Sequence, residues 1–425
     1  MNLKKIFHCL TGYLMILGLS LKISTGAAGS NPINTFGATK GQDVKPDSSL
    51  IYINTFIENG SPVNWERIGK DTILINLTYN YERVALNRAT EHWHFLLNAK
   101  SGCDFTLIFK NFDEIYNGKL IQYDSTLFTT CIVSKDGKKW EHVHTERIEG
   151  DHMKVKVHMD SDSLYVAHVE PYRISDLQKL ILRIKGDSRV KIMPIGKSVE
   201  GRELNIIQIG NENAPHRIFI RARAHAWEPG GNWVVEGIIN TLLQPTDVSM
   251  NYLKNYVVYI LPMANIDGVA HGITRFNLNG MDLNRKLTQT ADPILSPENA
   301  AMEHWLESMI AKGLKPDLAI DFHNDTYGPL FFAPLGNETG NYEKNMLAFV
   351  KLLGTETWFT GGYSFAENSS FEVGMMRRYG IEAMIFELNA QWIKGLNKKP
   401  LSEDWLLLGN QLCKVFNEYF SVIKR

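Results

Sequence analysis

The stretch RIFIRARAHAWEPGGNWVVEGIINTLL, from Arg217 to Leu243, begins as a strand pattern and ends as a helix pattern. Its opening residues form a short apolar run. Its second half places apolar side chains along one helical stripe, formed by Val234, Val235, Ile238, Ile239, Leu242 and Leu243. His225 and Glu228 lie at the break between the two patterns. Ligands bind beyond the carboxyl ends of strands in open α/β sheets, so this break is a candidate functional site.

Strand and helix patterns alternate over residues 172–425. Short apolar runs, of the kind found in sheets covered on both faces, occur in NYVVYILPMAN, PDLAIDFHN and EAMIFELNA. Between them, SPENAAMEHWLESMIAKG offers Ser296 as N-cap and Pro297 at the first helical position. DWLLLGNQLCKVFNEYFSVIK predicts a closing amphipathic helix. We therefore predict an α/β domain with a mixed, mostly parallel sheet and helices on both faces.

Residues 31–171 have a different pattern. Short β-type runs are separated by turn signals such as Asp136-Gly137. In MKVKVHM, apolar and polar residues alternate from Met153 to Met159, which is typical of a half-buried strand. This part predicts an antiparallel β-sandwich domain that precedes the α/β domain. Two histidine pairs occupy alternate strand positions without a third ligand nearby, and we expect them to be structural or solvent-facing: His92 and His94, and His142 and His144.

The first 28 residues follow the order of a secretory signal peptide. Lys4 and Lys5 precede an apolar run from Ile6 to Leu21, and small residues follow it. A single membrane anchor is the alternative, but the run is short for a bilayer span of about 20 residues. The pattern predicts cleavage, a secreted or periplasmic protein, and no stable membrane insertion after cleavage.

Charge and cysteine content give no indication of several classes of function. Lys plus Arg number 45 and Asp plus Glu number 46, without a long block of one sign, so we expect no nucleic-acid partner. Beyond the signal peptide, three cysteines remain with no CxxC or Cys-His spacing. Neither a disulfide framework nor a cysteine zinc site is therefore indicated. Cys103 and Cys131 pairing with each other, or all three including Cys413 staying as thiols, are both open.

Four chemically versatile side chains lie at predicted strand ends. His225 and Glu228 leave the first strand of the α/β domain, His323 ends DLAIDFH, and Glu387 ends AMIFE. Two histidines and one carboxylate form a ligand set for catalytic zinc, whose fourth position stays open for water or substrate. A second glutamate that does not bind the metal is the base that a metal-activated water needs.

Another strand end is followed by hydrogen-bond donors. The segment PMANIDGVAHGITRFNLNGMDLNRKL carries Arg275, Asn284 and Arg285. Guanidinium and amide groups suit carboxylates and oxyanions, because they donate several hydrogen bonds in a fixed geometry. The same edge of the sheet is therefore predicted to bind an anionic group.

Six segments, in this order, carry a family resemblance: GKSVEGREL, HAWE, ANIDGV, DLNR, DFH and FEL. From residue 172 onward the chain resembles the zinc metallocarboxypeptidases of the carboxypeptidase A superfamily. The β-rich part, which ends in YVAHVEPYRISDLQKL, is similar to the N-terminal domain of the cytosolic-carboxypeptidase-like subfamily. The resemblance implies hydrolysis of C-terminal peptide bonds in peptides or proteins.

The resemblance also implies roles for the residues at the strand ends. One zinc ion per chain would be bound by His225, Glu228 and His323. Glu387 would be the general base that, with the zinc ion, activates a water. Arg275 would stabilise the negative charge that develops on the scissile carbonyl oxygen.

Further roles follow from the same resemblance. Asn284 and Arg285 would bind the terminal carboxylate of the substrate. Asp282 would accept a hydrogen bond from the outer ring nitrogen of His225. Tyr363 is the nearest candidate for the tyrosine that many family members fold over the substrate.

The sequence departs from the family pattern at a few positions. Trp227 stands where an arginine is common, and Lys286 and Leu287 replace asparagine and an aromatic residue. Glu372 is a candidate lining residue of a pocket for cationic side chains, but we expect it to be solvated.

Two other functions fit parts of the pattern. A zinc deacylase or amidase, acting on N-acyl amino acids or cell-wall peptides, would use the same sheet and metal ligands. An exported binding protein with an idle catalytic fold would be expected to lose ligands or the base. This sequence retains all of them, which favours an enzyme.

Overall fold

The computed structural model describes residues 51–423, except 85, 113, 122–129, 151, 335–340 and 366–368. The predicted signal peptide lies outside the described residues and stays a prediction. Residues 48–425 form one compact unit. Among the helices in the described part of the chain, none has the length and apolarity needed to cross a membrane.

The N-terminal part is built of twelve described strands: β1 (Tyr52–Asn54), β2 (Val63–Arg67), β3 (Thr72–Leu77), β4 (His94–Asn98), β5 (Asp104–Lys110), β6 (Glu114–Tyr116), β7 (Lys119–Ile121), β8 (Ile132–Ser134), β9 (Glu141–His142), β10 (Thr145–Ile148), β11 (His152–His158) and β12 (Ser163–Ala167). They form two five-stranded sheets, in the orders β1-β4-β12-β8-β9 and β10-β11-β5-β3-β2, and a separate β6–β7 hairpin.

The two five-stranded sheets share one apolar core, which confirms the predicted sandwich. Phe95 and Leu97 of the first sheet pack in the same cluster as Leu107 and Val155 of the second. The alternation predicted in β11 is observed, since Met153, Val155 and Val157 are buried. One pair, β3 with β5, is parallel rather than antiparallel. The intervening β4 lies in the opposite sheet, so the chain returns to the second sheet in its original direction.

The C-terminal part contains eight strands and eight helices among the described residues. The strands are β13 (Val190–Lys197), β14 (Glu203–Ile209), β15 (His216–Ala222), β16 (Tyr256–Leu261), β17 (Leu318–Asp325), β18 (Leu330–Phe332), β19 (Tyr363–Phe365) and β20 (Glu382–Asn389). The helices are α1 (Ile174–Ile184), α2 (Gly230–Leu242), α3 (Asp247–Asn255), α4 (Ile266–Ala270), α5 (Pro297–Ala311), α6 (Tyr342–Glu356), α7 (Phe371–Tyr379) and α8 (Ser402–Val422).

These strands form one mixed sheet, in the order β13-β14-β16-β15-β17-β20-β18-β19. The central pairs β16–β15, β15–β17 and β17–β20 are parallel, as is β18–β19 at the edge. The remaining pairs are antiparallel. The prediction of a mixed, mostly parallel sheet is confirmed, and the carboxyl ends of β15, β17 and β20 meet at one edge.

Helices cover both faces of this sheet, as predicted. Helices α2, α6 and α8 pack on one face, and α5 and α7 pack on the other. Gly231 allows α2 to approach the sheet closely, because a Cβ atom there would lie 2.7 Å from the Cβ of Phe322. In α5, Met302, Leu306 and Met309 are buried and pack in the apolar cluster on the second face of the sheet.

The cysteines and the N-terminal histidines take structural positions. Cys103, Cys131 and Cys413 are thiols, and no disulfide joins Cys103 to Cys131. Burial raises the pKa of Cys131 to about 12, so this thiol is not ionised near neutral pH. His92 and His94 are buried in the sandwich, whereas His144 is exposed.

Candidate metal centre and substrate cavity

The loop after β15 is shaped by a strained residue. Arg223 has φ of +63°, in the left-handed region that residues with a Cβ rarely adopt. Its buried guanidinium donates to the carbonyl oxygen of Ala226 at 2.7 Å and to Asn232 Oδ1 at 3.1 Å. These bonds stabilise the tight turn that separates β15 from α2, and the turn directs His225 and Glu228 to the edge of the sheet.

Three of the predicted strand-end residues converge. Glu228 Oε1 lies 2.7 Å from His225 Nδ1, and Glu228 Oε2 lies 2.7 Å from His323 Nδ1. The two Nδ1 atoms are 3.1 Å apart, and all three side chains are buried. In the described part of the chain, this is the one group of three potential metal ligands whose donor atoms lie within 4.8 Å of one another. Two imidazoles and a carboxylate fit a zinc ion.

The outer nitrogen of each histidine contacts a carboxylate. His225 Nε2 is 3.1 Å from Asp282 Oδ1, and His323 Nε2 is 2.6 Å from Asp321 Oδ2. Arg221 in turn donates from Nε to Asp321 Oδ1 at 2.9 Å. Such carboxylates fix the ring orientation and leave Nδ1 as the atom available to a metal.

Sequence reasoning missed Asp321 and Arg221, although a signal was present. Asp321 precedes His323 by two residues in β17, so both side chains point to the same side of the strand. The parallel register pairs Arg221 with Asp321 directly across β15 and β17. A buried carboxylate opposite a buried arginine was therefore predictable from the strand assignment.

The charges of this centre are mutually stabilised. Burial opposes ionisation of Glu228, but His225 and His323 outweigh it and lower the pKa of this carboxyl to about 2. Burial also opposes ionisation of Asp321, yet Arg221 and His323 lower its pKa to about 2. Metal ligands and their supporting carboxylates act in ionised form, and these two groups are ionised at neutral pH.

Glu387 stands apart from the three converging residues. It pairs in register with His323, on the neighbouring strand β20. Its Oε2 atom is buried and has no hydrogen-bond partner among the described residues. Burial raises the pKa of Glu387 well above its ordinary value; His323 opposes this shift, whereas Asp325 and Glu228 add to it. A carboxylate with an unsatisfied oxygen and raised basicity is suited to accept a proton.

Arg275 is joined to the candidate metal centre through Asp282. Its Nε donates to Asp282 Oδ2 at 2.9 Å, while the other oxygen of Asp282 contacts His225. Burial raises the energy of an ionised Asp282, but Arg275 and His225 lower the pKa of this carboxyl well below its ordinary value. One carboxylate therefore orients both a candidate metal ligand and a cation that lines the same cavity.

Asn284 and Arg285 present donors to the cavity. Asn284 Oδ1 accepts a hydrogen bond from the backbone N–H of Phe371 at 3.0 Å, which orients its amide group. Arg285 donates to the carbonyl oxygen of Asn284 at 2.8 Å and to the hydroxyl of Tyr116 at 2.7 Å. None of the carboxylates in the described ranges forms an ion pair with Arg285. Its guanidinium is thus suited to an anionic ligand.

The cavity has a volume of about 450 Å³. Most of the residues predicted from the sequence line it: His225, Glu228, Arg275, Asn284, Arg285 and Glu387. Tyr363 does not line it, because it lies on the edge strand β19, where its ring is 5.8 Å from that of Phe332. Tyr327, in the loop after β17, is a lining residue that was not predicted from the sequence.

Glu372 differs from its predicted environment. The side chain was expected to be solvated, but it is fully buried in the first turn of α7. Ser370 Oγ donates to Glu372 Oε1 at 2.6 Å. Burial raises the pKa of Glu372 to about 7. The prediction was wrong because α7 packs against the sheet and buries Glu372 together with its neighbours Phe371 and Val373.

The N-terminal sandwich part also supports this region. Asn80 Oδ1 accepts hydrogen bonds from the backbone N–H groups of Thr274 and Arg275, at 2.7 and 2.8 Å. Glu91 and Tyr116 line the cavity itself. These contacts come from residues that are distant in sequence, so no local pattern predicted them.

A stack of three buried rings connects the two parts. The imidazole of His168 lies between the indoles of Trp93 and Trp227, with ring centroids 4.2 and 5.3 Å apart. His168 Nδ1 donates to the carbonyl oxygen of Glu91 at 2.7 Å. Burial lowers the pKa of His168 to about 4, so the ring is neutral. Trp227, a departure from the family pattern, is therefore a packing residue between the candidate ligands His225 and Glu228.

Residues 181–326 match the family model described as zinc carboxypeptidase. Human cytosolic carboxypeptidase 2 is 30% identical over 137 residues, which cover 30% of this chain and 15% of that protein. An uncharacterised protein of Zymomonas mobilis is 28% identical over 202 residues, which cover 47% of this chain and 50% of that protein. The chain thus spans half or less of the length of these curated relatives.

Solved structures share the fold. A metallo-carboxypeptidase from Burkholderia cenocepacia has a TM-score of 0.77 at 20% identity, over 87% of this chain and 99% of its own. A metallo-carboxypeptidase from Pseudomonas aeruginosa, solved with (2-guanidinoethylmercapto)succinic acid, has a TM-score of 0.73 at 20% identity, again over 87% and 99%. The chain therefore has the fold of these metallo-carboxypeptidases, and its residues 181–326 match the zinc carboxypeptidase model.

Proposed function

We propose that the protein is a zinc-dependent metallocarboxypeptidase that removes residues from the free C-termini of peptides. One observation carries this proposal. A single cavity is lined by His225 and Glu228, two of the three candidate metal ligands, and by Glu387 and Arg285. Among the described residues, Glu387 Oε2 has no hydrogen-bond partner and the guanidinium of Arg285 has no ion-pair partner. Metal ligands, a base and an anion-binding group are the parts that hydrolysis next to a terminal carboxylate requires.

Each side chain then has a distinct task. A zinc ion bound by the three ligands would act as a Lewis acid toward the scissile carbonyl and a water. Glu387 takes the proton of that water and passes it to the leaving amine. Arg275 stabilises the negative charge that develops on the carbonyl oxygen.

The carboxylate of the substrate sets which peptide bond is cut. Arg285 and Asn284 bind it and thereby hold the last peptide bond beside Glu387. A planar guanidinium binds a carboxylate through two parallel hydrogen bonds, which fixes direction as well as position. Peptides without a free terminal carboxylate lose this contact.

We therefore expect the wild-type enzyme to cleave free peptides much faster than C-terminally amidated ones, with the difference in kcat/KM reaching about 10²-fold. Arg285→Lys should reduce cleavage of free peptides by about tenfold or more, since a point charge replaces the bidentate fork. Parallel assays with matched free and amidated peptides, with release of single amino acids read by mass spectrometry, provide the measurement.

Arg377→Lys serves as the matched control, because Arg377 is exposed in α7 and does not line the cavity. Equal cleavage of free and amidated peptides by the wild-type enzyme would contradict the proposal. Activity confined to acylated or cross-linked fragments would favour a deacylase or amidase instead.

Export is part of the same proposal. The Lys4-Lys5 pair, the apolar run and the small residues that follow support a cleaved signal peptide. In the native host, the mature protein should be recovered from the medium or the periplasm, and its first residue should lie close to position 29. N-terminal sequencing measures this directly, and an intact Met1 in a cytoplasmic fraction would refute export.

A further inference from the structure

The β6–β7 hairpin of the N-terminal part reaches the cavity of the C-terminal part. Tyr116 ends β6 and pairs with Lys119 across the turn formed by Asn117 and Gly118. These two turn residues have φ of 51° and 74°. Positive φ at both central positions is typical of a tight two-residue hairpin turn, for which Asn-Gly is the favoured sequence.

The hairpin is held at three backbone points. The backbone N–H of Gly118 donates to the carbonyl oxygen of Leu86 at 2.7 Å, and that of Asn117 donates to Asn87 Oδ1 at 2.7 Å. The backbone N–H of Arg88 donates to the carbonyl oxygen of Ile115 at 2.8 Å. The position of Tyr116 is therefore set by a short turn and by hydrogen bonds that join the backbone on either side of it, at Ile115 and at Asn117 and Gly118, to residues 86–88.

Tyr116 contacts Arg285, the residue assigned to the terminal carboxylate. Arg285 Nη2 donates to the phenolic oxygen at 2.7 Å, and the guanidinium carbon lies 5.9 Å from the ring centroid. A phenol that accepts one hydrogen bond still has its own O–H to donate. With its oxygen held by Arg285 at the cavity wall, that O–H is available to a carboxylate bound by the same arginine.

We infer that Tyr116 is a substrate-binding residue of the terminal-carboxylate site, contributed by the N-terminal part of the chain. Its hydroxyl oxygen accepts a hydrogen bond from Arg285 and so orients the guanidinium. Its O–H group donates a further hydrogen bond to the substrate carboxylate, beside those from Arg285. The inference rests on the proposed function, since it assumes a peptide with a free C-terminus. It also gives the cavity an aromatic wall from a strand, while Tyr363 lies away from the cavity.

The test measures binding separately from turnover. Glu387→Gln protein is titrated by calorimetry with an N-acetylated tetrapeptide that has a free C-terminus, and with its amidated counterpart. Tyr116→Phe in this background should weaken binding of the free peptide about tenfold, because it removes the hydroxyl and keeps the ring. Binding of the amidated peptide should change less than about twofold.

In the otherwise wild-type enzyme, Tyr116→Phe should raise KM about tenfold and change kcat less than about threefold, because the hydroxyl contacts the carboxylate and not the scissile bond. Tyr52→Phe is the matched control: Tyr52 is also partly exposed in the N-terminal part, and it contacts Trp65 rather than the cavity. Zinc content should be unchanged in both variants.

Different outcomes would overturn the role of Tyr116 and the proposed function. Identical affinity of Tyr116 and Tyr116→Phe proteins for the free peptide would overturn the role of Tyr116, whatever the turnover. A loss of affinity that is equal for free and amidated peptides would also overturn it, because a purely structural effect does not discriminate between them. Failure of the wild-type enzyme to hydrolyse any free peptide would instead overturn the proposed function.

Discussion

Glu387→Gln should lower turnover by about 10²- to 10⁴-fold while zinc content and substrate affinity stay close to those of the wild type. The amide keeps the size and shape of the carboxylate but cannot accept the proton of the attacking water. Glu387 pairs with His323 across β17 and β20, and its Oε2 has no partner among the described residues, so the substitution breaks no hydrogen bond at that oxygen. Steady-state kinetics with metal analysis of the same sample measure both quantities.

Glu66→Gln is the matched control, since Glu66 occupies an exposed position of β2. If Glu387→Gln loses its zinc, Glu387 is a ligand and the roles of the two glutamates must be exchanged. If it keeps near-normal turnover, another residue is the base.

Removal of any one of the three proposed ligands should abolish stable zinc binding. Loss of residues that merely support a ligand typically weakens metal affinity by about 10- to 100-fold, and loss of a ligand itself should exceed this. We expect His225→Ala, Glu228→Ala and His323→Ala each to lose most of their zinc after dialysis, and most of their activity with it. The zinc-loaded wild type should contain one zinc ion per chain by atomic emission.

His92→Ala and His144→Ala are the histidine controls, and His144 is the cleaner one because it is exposed in the sandwich. Both should retain zinc. Full retention in His323→Ala would remove that residue from the metal site and contradict the convergence of strand ends on which the site is built.

Much of the fold was predictable because the burial of a strand or of one helix face produces a regular pattern of apolar residues in the sequence. The apolar runs of β16, β17 and β20, and the amphipathic stripe of α2, indicated a sheet covered on both faces. The parallel register of β17 and β20 then brought His323 and Glu387 side by side. Residues near the carboxyl ends of adjacent parallel strands were therefore predictable as neighbours without any knowledge of the loops between them.

Other parts of the site could not be predicted from local patterns. Glu91 and Tyr116 reach the cavity from the N-terminal part of the chain. The residues next to them in sequence form no pattern that predicts this contact. Glu372 was expected in solvent, whereas tertiary packing of α7 buries it. Tyr363 was selected by its position in the chain alone, and the edge strand β19 carries it away from the cavity.

The stack of Trp93, His168 and Trp227 bears on how far this chain is modular. Trp93 and His168 contribute two rings from the sandwich, and the third belongs to the turn that carries His225 and Glu228. The predicted domain boundary near residue 171 thus separates two kinds of sequence pattern. Side chains from before and after this boundary nevertheless pack against each other in the stack. A C-terminal part transplanted onto an unrelated partner would expose an indole next to its metal ligands. The sandwich is better regarded as one wall of the enzyme than as an accessory joined to it.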